Sequence, residues 1–200
     1  MPHERRRGIG LGRVLAALSA PSWEAPIWLT AAGDSGRPSA VLVLLFEEDG
    51  EARVVLTRRA SHLRNHRGEV SFPGGRLEEG ETPIDAALRE ASEEIGLEPT
   101  SVTVVGELTP LSTMSSAAAI TPIVGTVPSR PAVHPNPDEV EHVFDVSLAE
   151  LLDHEVYEEE VWDSPDRGRR PVYFFHLPDD TVWGATARVL HELLAQVALA

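Results

Sequence analysis

Glu90, Glu93 and Glu94 are spaced so that, on a helix, all three share one surface. Carboxylates held that close repel one another. At about 4 Å each pair costs roughly 1 kcal/mol in bulk water and roughly 4 kcal/mol at an effective dielectric of 20. A divalent cation removes the repulsion, and hard cations such as Mg2+ prefer carboxylate oxygens. A solvated acidic helix is the ordinary meaning of a Glu-rich stretch. That reading does not account for the glycines and fixed spacings around these glutamates.

Upstream the charge sign inverts. Between Ala52 and Gly68 lie Arg53, Arg58, Arg59, Arg64 and Arg67, with His62 and His66 and no Asp or Glu. In a chain of net charge −15 this is a local phosphate-seeking patch, since Arg binds phosphate oxygens in bidentate geometry. Surface arginines balancing nearby carboxylates are the competing explanation. His62 and His66 would be one turn apart in a helical loop, a candidate metal pair. Phosphate contact or plain solvation is preferred, because the carboxylates already offer a hard-metal site.

The elements that must position these groups are locally encoded. Thr82 is a good N-cap, Pro83 suits the first helical position, and Asp85 stands where a capping-box acid belongs. Ile84, Leu88, Ala91 and Ile95 recur at helical spacing and are expected to face a core, with Gly96 as the residue that ends the helix. Residues 39–47 read as a buried strand, Glu48-Asp49-Gly50 as a turn and residues 52–57 as a second strand. Residues 60–75 read as an irregular loop. Further strands are expected over 102–108 and 120–127, and a Pro-rich loop over 128–138. A short helical turn follows at 148–152, then an edge hairpin from 156–162 and 171–176. Residues 185–199 form a terminal helix with Val189, Leu190, Leu193, Leu194 and Val197 as its apolar stripe. Strands mixed with two main helices predict an α+β fold with a mixed β-sheet between helices.

Composition narrows the function. Two hundred residues suit a single domain of residues 31–200 preceded by an N-terminal helical extension of residues 1–30. Arg5-Arg6-Arg7 before an apolar stretch loosely resembles an export signal, but Arg13, Gly8 and Gly10 interrupt it. A short amphipathic helix with Ile9, Leu11, Val14, Leu15 and Leu18 on its apolar side is favoured. No apolar run approaches the ~20 residues of a membrane span, and there is no cysteine, which fits a cytoplasmic protein. The acidic balance argues against nucleic-acid binding by bulk electrostatics. All 17 basic residues are arginine, so any phosphate site relies on Arg, His or backbone N–H groups. Trp23, Trp28, Trp162 and Trp183 are expected in packing rather than as base-stacking platforms.

Two motifs carry a family resemblance. Gly75, five residues, Glu81, seven residues, then Arg89-Glu90-Ala91-Ser92-Glu93-Glu94-Ile95-Gly96-Leu97 resembles the Nudix box at every defining position. Leu56-Thr57-Arg58-Arg59-Ala60, then Arg64, Gly68 and Phe72-Pro73-Gly74-Gly75, is similar to the segment that precedes this box in coenzyme A diphosphatases. Asn136 to Phe144 looks like that subfamily's acidic segment, and Trp183-Gly184-Ala185-Thr186-Ala187-Arg188 like its C-terminal signature. Ser112 to Ala119 departs from it, lacking the Ser-Gly-aromatic run expected there.

The resemblance implies a Nudix-like α/β/α sandwich and Mg2+- or Mn2+-dependent hydrolysis of a phosphoanhydride. For coenzyme A or acyl-CoA the products would be 3′,5′-ADP and (acyl-)4′-phosphopantetheine. Glu90 and Glu94 are the first-choice metal ligands. Glu93 is a third ligand or positions water, and a carbonyl at Gly74 or Gly75 is a further candidate ligand. Glu139 is a candidate ligand or general base, with Glu141 competing. Arg89 is expected to hold glutamates in place, with Glu81 as a candidate partner. Arg58, Arg59, Arg64, Arg67, Phe72 and Gly74 are the candidate substrate contacts. The implied partner is a small nucleotide substrate, and a homodimer is left open. Competing readings are an ADP-ribose or other nucleoside diphosphate hydrolase, and a non-catalytic nucleotide-sensing module.

Overall fold

A computed structural model of the chain describes residues 8–19, 37–63, 67–112, 118–164 and 168–199. The apolar run from Ala40 to Phe46 lies inside strand β1 (Arg37–Glu48). Alternate side chains of a strand point to opposite faces. Leu42, Leu44 and Phe46 join a core with helix α2 (Pro83–Ile95), while Val43 and Leu45 join a second core with α1 (Leu11–Leu18) and α4 (Gly184–Leu199). Burial on both faces is why this strand reads as a continuous apolar run rather than an alternation.

Asp49 and Gly50, both with positive φ, turn β1 into antiparallel β2 (Glu51–Arg59). On its other side β1 runs parallel to β7 (Ala118–Thr126), which also pairs with β5 (Thr103–Glu107) and the short β6 (Leu111–Ser112). Strand β8 (Val140–Ser147) lies along β2 and ends in the one-turn helix α3 (Leu148–Leu151). With β3 (Val70–Ser71) and β4 (Gly74–Arg76) these make an 8-stranded mixed sheet. The α+β sandwich expected from the sequence is the fold observed.

The pairing of β1 with β2 spans only Leu45–Glu48 against Val54–Glu51, after which the two strands part. Into the gap comes the chain between them: β4 takes the freed edge of β1, and β3 takes that of β2. Leu42 N–H donates to the Pro73 carbonyl at 2.8 Å, closing the wedge. These two short strands interrupt the C-terminal part of the irregular loop expected over residues 60–75.

The expected edge hairpin is a separate three-stranded sheet: β9 (Tyr157–Ser164), β10 (Gly168–His176) and β11 (Thr181–Trp183). Tyr173, Phe175 and Val182 pack in the same core as Leu190, Leu193 and Val197 of α4. Trp162 and Trp183 are about half exposed (49% and 46%), while Trp23 and Trp28 lie outside the described residues. Helix α1 packs on α4, and Ile9 accepts the Ala52 N–H, so this part of the N-terminal segment shares the domain's core. Among the described residues no helix is long and apolar enough to cross a membrane.

Candidate active site

Both ends of α2 are fixed by its own sequence. Thr82 accepts the Asp85 N–H at 3.2 Å and Asp85 accepts the Thr82 N–H at 3.3 Å, a reciprocal capping box. Gly96, in the left-handed region, ends the helix. Between them Ala86, Ala87, Ala91 and Ile95 are fully buried. Ile84, expected in that face, is 42% exposed. The helix is rotated so that its small alanines seat it on the sheet, and the same rotation turns Glu94 inward, to 3% exposure.

The wedge loop meets these glutamates. Gly74 N–H donates to Glu94 Oε2 at 3.0 Å. Glu90 lies against Gly75 so closely that a Cβ there would stand 2.3 Å from Oε1. Arg89 binds the cluster from the outer side. Its Nε and Nη2 donate to the two Glu81 oxygens at 2.8 and 3.0 Å, and Nη2 also donates to the Arg76 carbonyl at 3.0 Å. Its Nη1 donates to Glu90 at 3.0 Å and to Glu93 at 3.1 Å. Arg59 comes from the end of β2: Nη1 is 3.8 Å from Glu94 Oε1, and its buried Nε has no hydrogen-bond partner among the described residues.

Two guanidiniums do not offset the desolvation of these acids. Burial pushes the Glu94 carboxyl up to about 7, against the opposing Gly74 N–H and Arg59; the charges of Glu90 and Glu139 add to the rise. Burial likewise raises Glu90, opposed by Arg89 and reinforced by Glu93 and Glu139. Glu93 is exposed.

Glu139 is delivered by the Pro-rich loop. His134 and Asn136 N–H groups donate to the Ile95 and Glu94 carbonyls at 2.7 and 2.8 Å, satisfying acceptors that a helix C-terminus leaves open. The turn Asn136 to Glu139 then brings the Glu139 charge to Glu90 and Glu94. Glu141 instead lines a cavity of about 660 Å3 that also includes Arg58, His142 and Phe144.

The substrate candidates divide by position. Arg59 reaches Glu94, and Arg67 is exposed in the loop before β3. Arg58, next to Arg59 on a strand, points the other way and pairs with Asp180 at 3.4 Å. Phe72 is 3% exposed and packs in the core with α4, so its ring anchors the wedge loop. His62 contacts the Asp138 carbonyl at 3.2 Å. Arg64 and His66 lie outside the described residues, as does the middle of the atypical 112–119 segment.

The residues fit a hard divalent cation as donors. Glu90 and Glu94 are carboxylates with raised proton affinity, and the missing side chain at Gly75 leaves room for Glu90 beside them. Among the described residues no three His, Asp or Glu side chains form a ready-made cage. Glu90 and Glu93 are drawn to Arg89 instead, so they supply a hard-oxygen donor set that must close around the ion.

A family model described as the NUDIX domain matches residues 36–166. A Photorhabdus laumondii protein named Uncharacterized Nudix hydrolase NudL is 39% identical over 82% of this chain and 87% of its own length. Its namesake in Yersinia enterocolitica is 39% identical over 74% and 75%. Among solved structures, a MutT/nudix family protein from Enterococcus faecalis superposes with a TM-score of 0.56 at 17% identity, over 95% of this chain and 70% of that one; it supports the fold alone. The Nudix hydrolase RenU from M. smegmatis gives 0.50 at 25% identity, over 58% and 74%. The chain belongs to the Nudix hydrolases, a family of enzymes that cleave pyrophosphate bonds and use divalent cations.

Proposed function

We propose that this enzyme hydrolyses the diphosphate of coenzyme A or acyl-CoA with Mg2+ or Mn2+, releasing 3′,5′-ADP and (acyl-)4′-phosphopantetheine. The observation that carries the reading is Arg59 beside Glu94. The first belongs to the coenzyme A-like segment and the second to the Nudix box, so the two motifs share one site. Among the described residues the buried Arg59 Nε has no hydrogen-bond partner, a donor that suits a diphosphate oxygen.

Glu90 and Glu94, with a carbonyl of the Gly74-Gly75 loop, hold the cation. When bound, it neutralises diphosphate charge and acidifies the attacking water. Glu93, exposed and steadied by Arg89, orients that water, and Glu139 is the base that takes its proton. Arg59 stabilises the charge that develops on the departing phosphate oxygens. Arg67, and Arg64 from the same segment, are the candidates for the 3′-phosphate.

The test is a mass-spectrometric screen of coenzyme A, acyl-CoAs, dephospho-coenzyme A, ADP-ribose and NADH in Mg2+ and Mn2+. Coenzyme A or an acyl-CoA should give the highest kcat/KM, with the two named products. A preference for ADP-ribose would replace the substrate assignment, and binding without turnover would favour a nucleotide-sensing module.

A further inference from the structure

Two contacts grip one cross-strand pair. Arg58 of β2 lies opposite Val70 of β3 in the antiparallel register. The Arg58 guanidinium pairs at 3.4 Å with Asp180, in the turn between β10 and β11. The Val70 carbonyl accepts a hydrogen bond from Thr186 Oγ1 at 3.1 Å, from the first turn of α4. Strand β11 packs against β3, and Gly184, with φ of 67°, makes the turn from β11 into α4 that aims Thr186 at Val70.

The gripped pair stands at the root of both arms of the active site. The residue after Arg58 is Arg59, which reaches Glu94. Two residues after Val70 comes Phe72, then the loop whose Gly74 N–H holds Glu94 and whose Gly75 makes room for Glu90. Strand β3 has only two residues; its other ties to β2 are the Thr57–Ser71 pair, with Thr57 Oγ1 3.1 Å from the Ser71 carbonyl, and, just before the strand, the Arg59 N–H on the Glu69 carbonyl at 3.0 Å and the Gly68 N–H on the Arg59 carbonyl at 3.1 Å. Beyond the strand the loop is tied to β1 by the Leu42 N–H on the Pro73 carbonyl and by the β4 pairing, so Thr186 and Asp180 add the hold on its root from the side of α4.

We infer that Thr186 and Asp180 are positioning residues for the carboxylate site, acting through Val70 and Arg58. This gives the C-terminal Trp183–Arg188 segment a role: it holds the wedge loop at the distance from α2 that the glutamates require. The inference rests on the cation reading above.

Mn2+ alone, titrated by electron paramagnetic resonance, tests it without substrate. Thr186→Val keeps the shape and removes the donor; Thr186→Ser keeps the donor. Thr186→Val and Asp180→Asn should each weaken Mn2+ binding about five- to tenfold, and Thr186→Ser should stay within about twofold of wild type. The double variant should lose less than the product of the single losses, because both act through one pair. With coenzyme A, kcat should fall more than KM rises. Val197→Ala, about 16 Å further along α4, is the control for plain destabilisation and should leave Mn2+ affinity unchanged. Wild-type affinity in Asp180→Asn, or in folded Thr186→Val, overturns the inference. So does an equal loss in Val197→Ala. Glu94→Gln separates the two claims: if it binds Mn2+ like wild type, the cation reading fails, whatever Thr186 does.

Discussion

Gly75→Ala should remove function while leaving the fold nearly intact. The added Cβ would stand 2.3 Å from Glu90 Oε1 and 2.4 Å from its Cδ, closer than real Cβ atoms approach. The obstacle is the far end of a flexible side chain, so Glu90 turns away. Turning away breaks its 3.0 Å bond from Arg89, a charge-assisted hydrogen bond worth about 1.5–3 kcal/mol. It also withdraws one of the two proposed ligands. Displacing a ligand from its position costs metal affinity about 10–100-fold, so Mn2+ binding should drop by that much. The backbone at Gly75 lies outside the left-handed region, and an unstrained Gly→Ala change recovers about 0.4–1 kcal/mol through the unfolded state. Net destabilisation should therefore stay near 1–2 kcal/mol. Gly74→Ala should behave oppositely. Its Cβ would meet the Ala40 carbonyl at 2.3 Å and Val41 Cα at 2.6 Å, and φ is 155°, so backbone must move and folding should suffer by more than about 3 kcal/mol. Paired urea melts and Mn2+ titrations read both quantities. Gly75→Ala binding Mn2+ within twofold of wild type, with unchanged kcat, would refute the geometry.

Saturating Mn2+ should raise the melting temperature of the wild type, by linkage worth about 2.7 kcal/mol at one hundred times Kd, and should not move Glu94→Gln; an equal shift in both removes Glu94 from the ligands. Arg89→Lys should lower kcat about 10–100-fold, because a point charge cannot reproduce the fork on Glu81 together with the Arg76, Glu90 and Glu93 contacts. Full activity in the lysine variant would show that charge alone suffices. His191, stacked on Tyr173 at 3.8 Å and contacting the Tyr157 hydroxyl, is held below the usual histidine range by burial, with Glu159 opposing. The unfolded chain, near 6.5, therefore takes this proton first, so stability falls as pH drops below about 6.5 and levels off under the folded pKa. His191→Asn should flatten that part of the wild-type curve in urea melts between pH 5 and 7.5; an unchanged slope rules His191 out.

The ends of α2 were legible because capping is a local affair: Thr82, Pro83, Asp85 and Gly96 each act within a turn of their own position. Its rotation was legible only in part: Ala91 and Ile95 are buried as expected, but an apolar tally also selects Ile84, which is exposed, while the sheet accepts Ala86 and Ala87, whose small side chains let the helix sit close. That close seat is also what buries Glu94 and raises its proton affinity. Strands β3 and β4 escaped a pattern reading for a different reason. Two or three residues have no periodicity, and both strands exist only because β1 and β2 part after Leu45 and Val54.

Arg58 and Arg59 show where one-dimensional reading ends. Both are arginines in the same motif, and in sequence they are equal candidates for phosphate. A strand sends neighbours to opposite faces, so only one can meet α2. The phase was in principle available, since Val55, Thr57 and Arg59 share one face while Leu56 and Arg58 share the other. What was missing was the identity of the faces. Strand β2 is apolar on both sides, so alternation could not say which side carries the carboxylates. The tertiary structure answers that by placing Val55 in the core of α2 and Leu56 in that of α4. It turns one arginine toward Glu94 and gives the other to Asp180. On the proposed function the pair would divide the labour of the motif: Arg59, beside Glu94, would meet the substrate's charge, and Arg58 would tie the strand to Asp180.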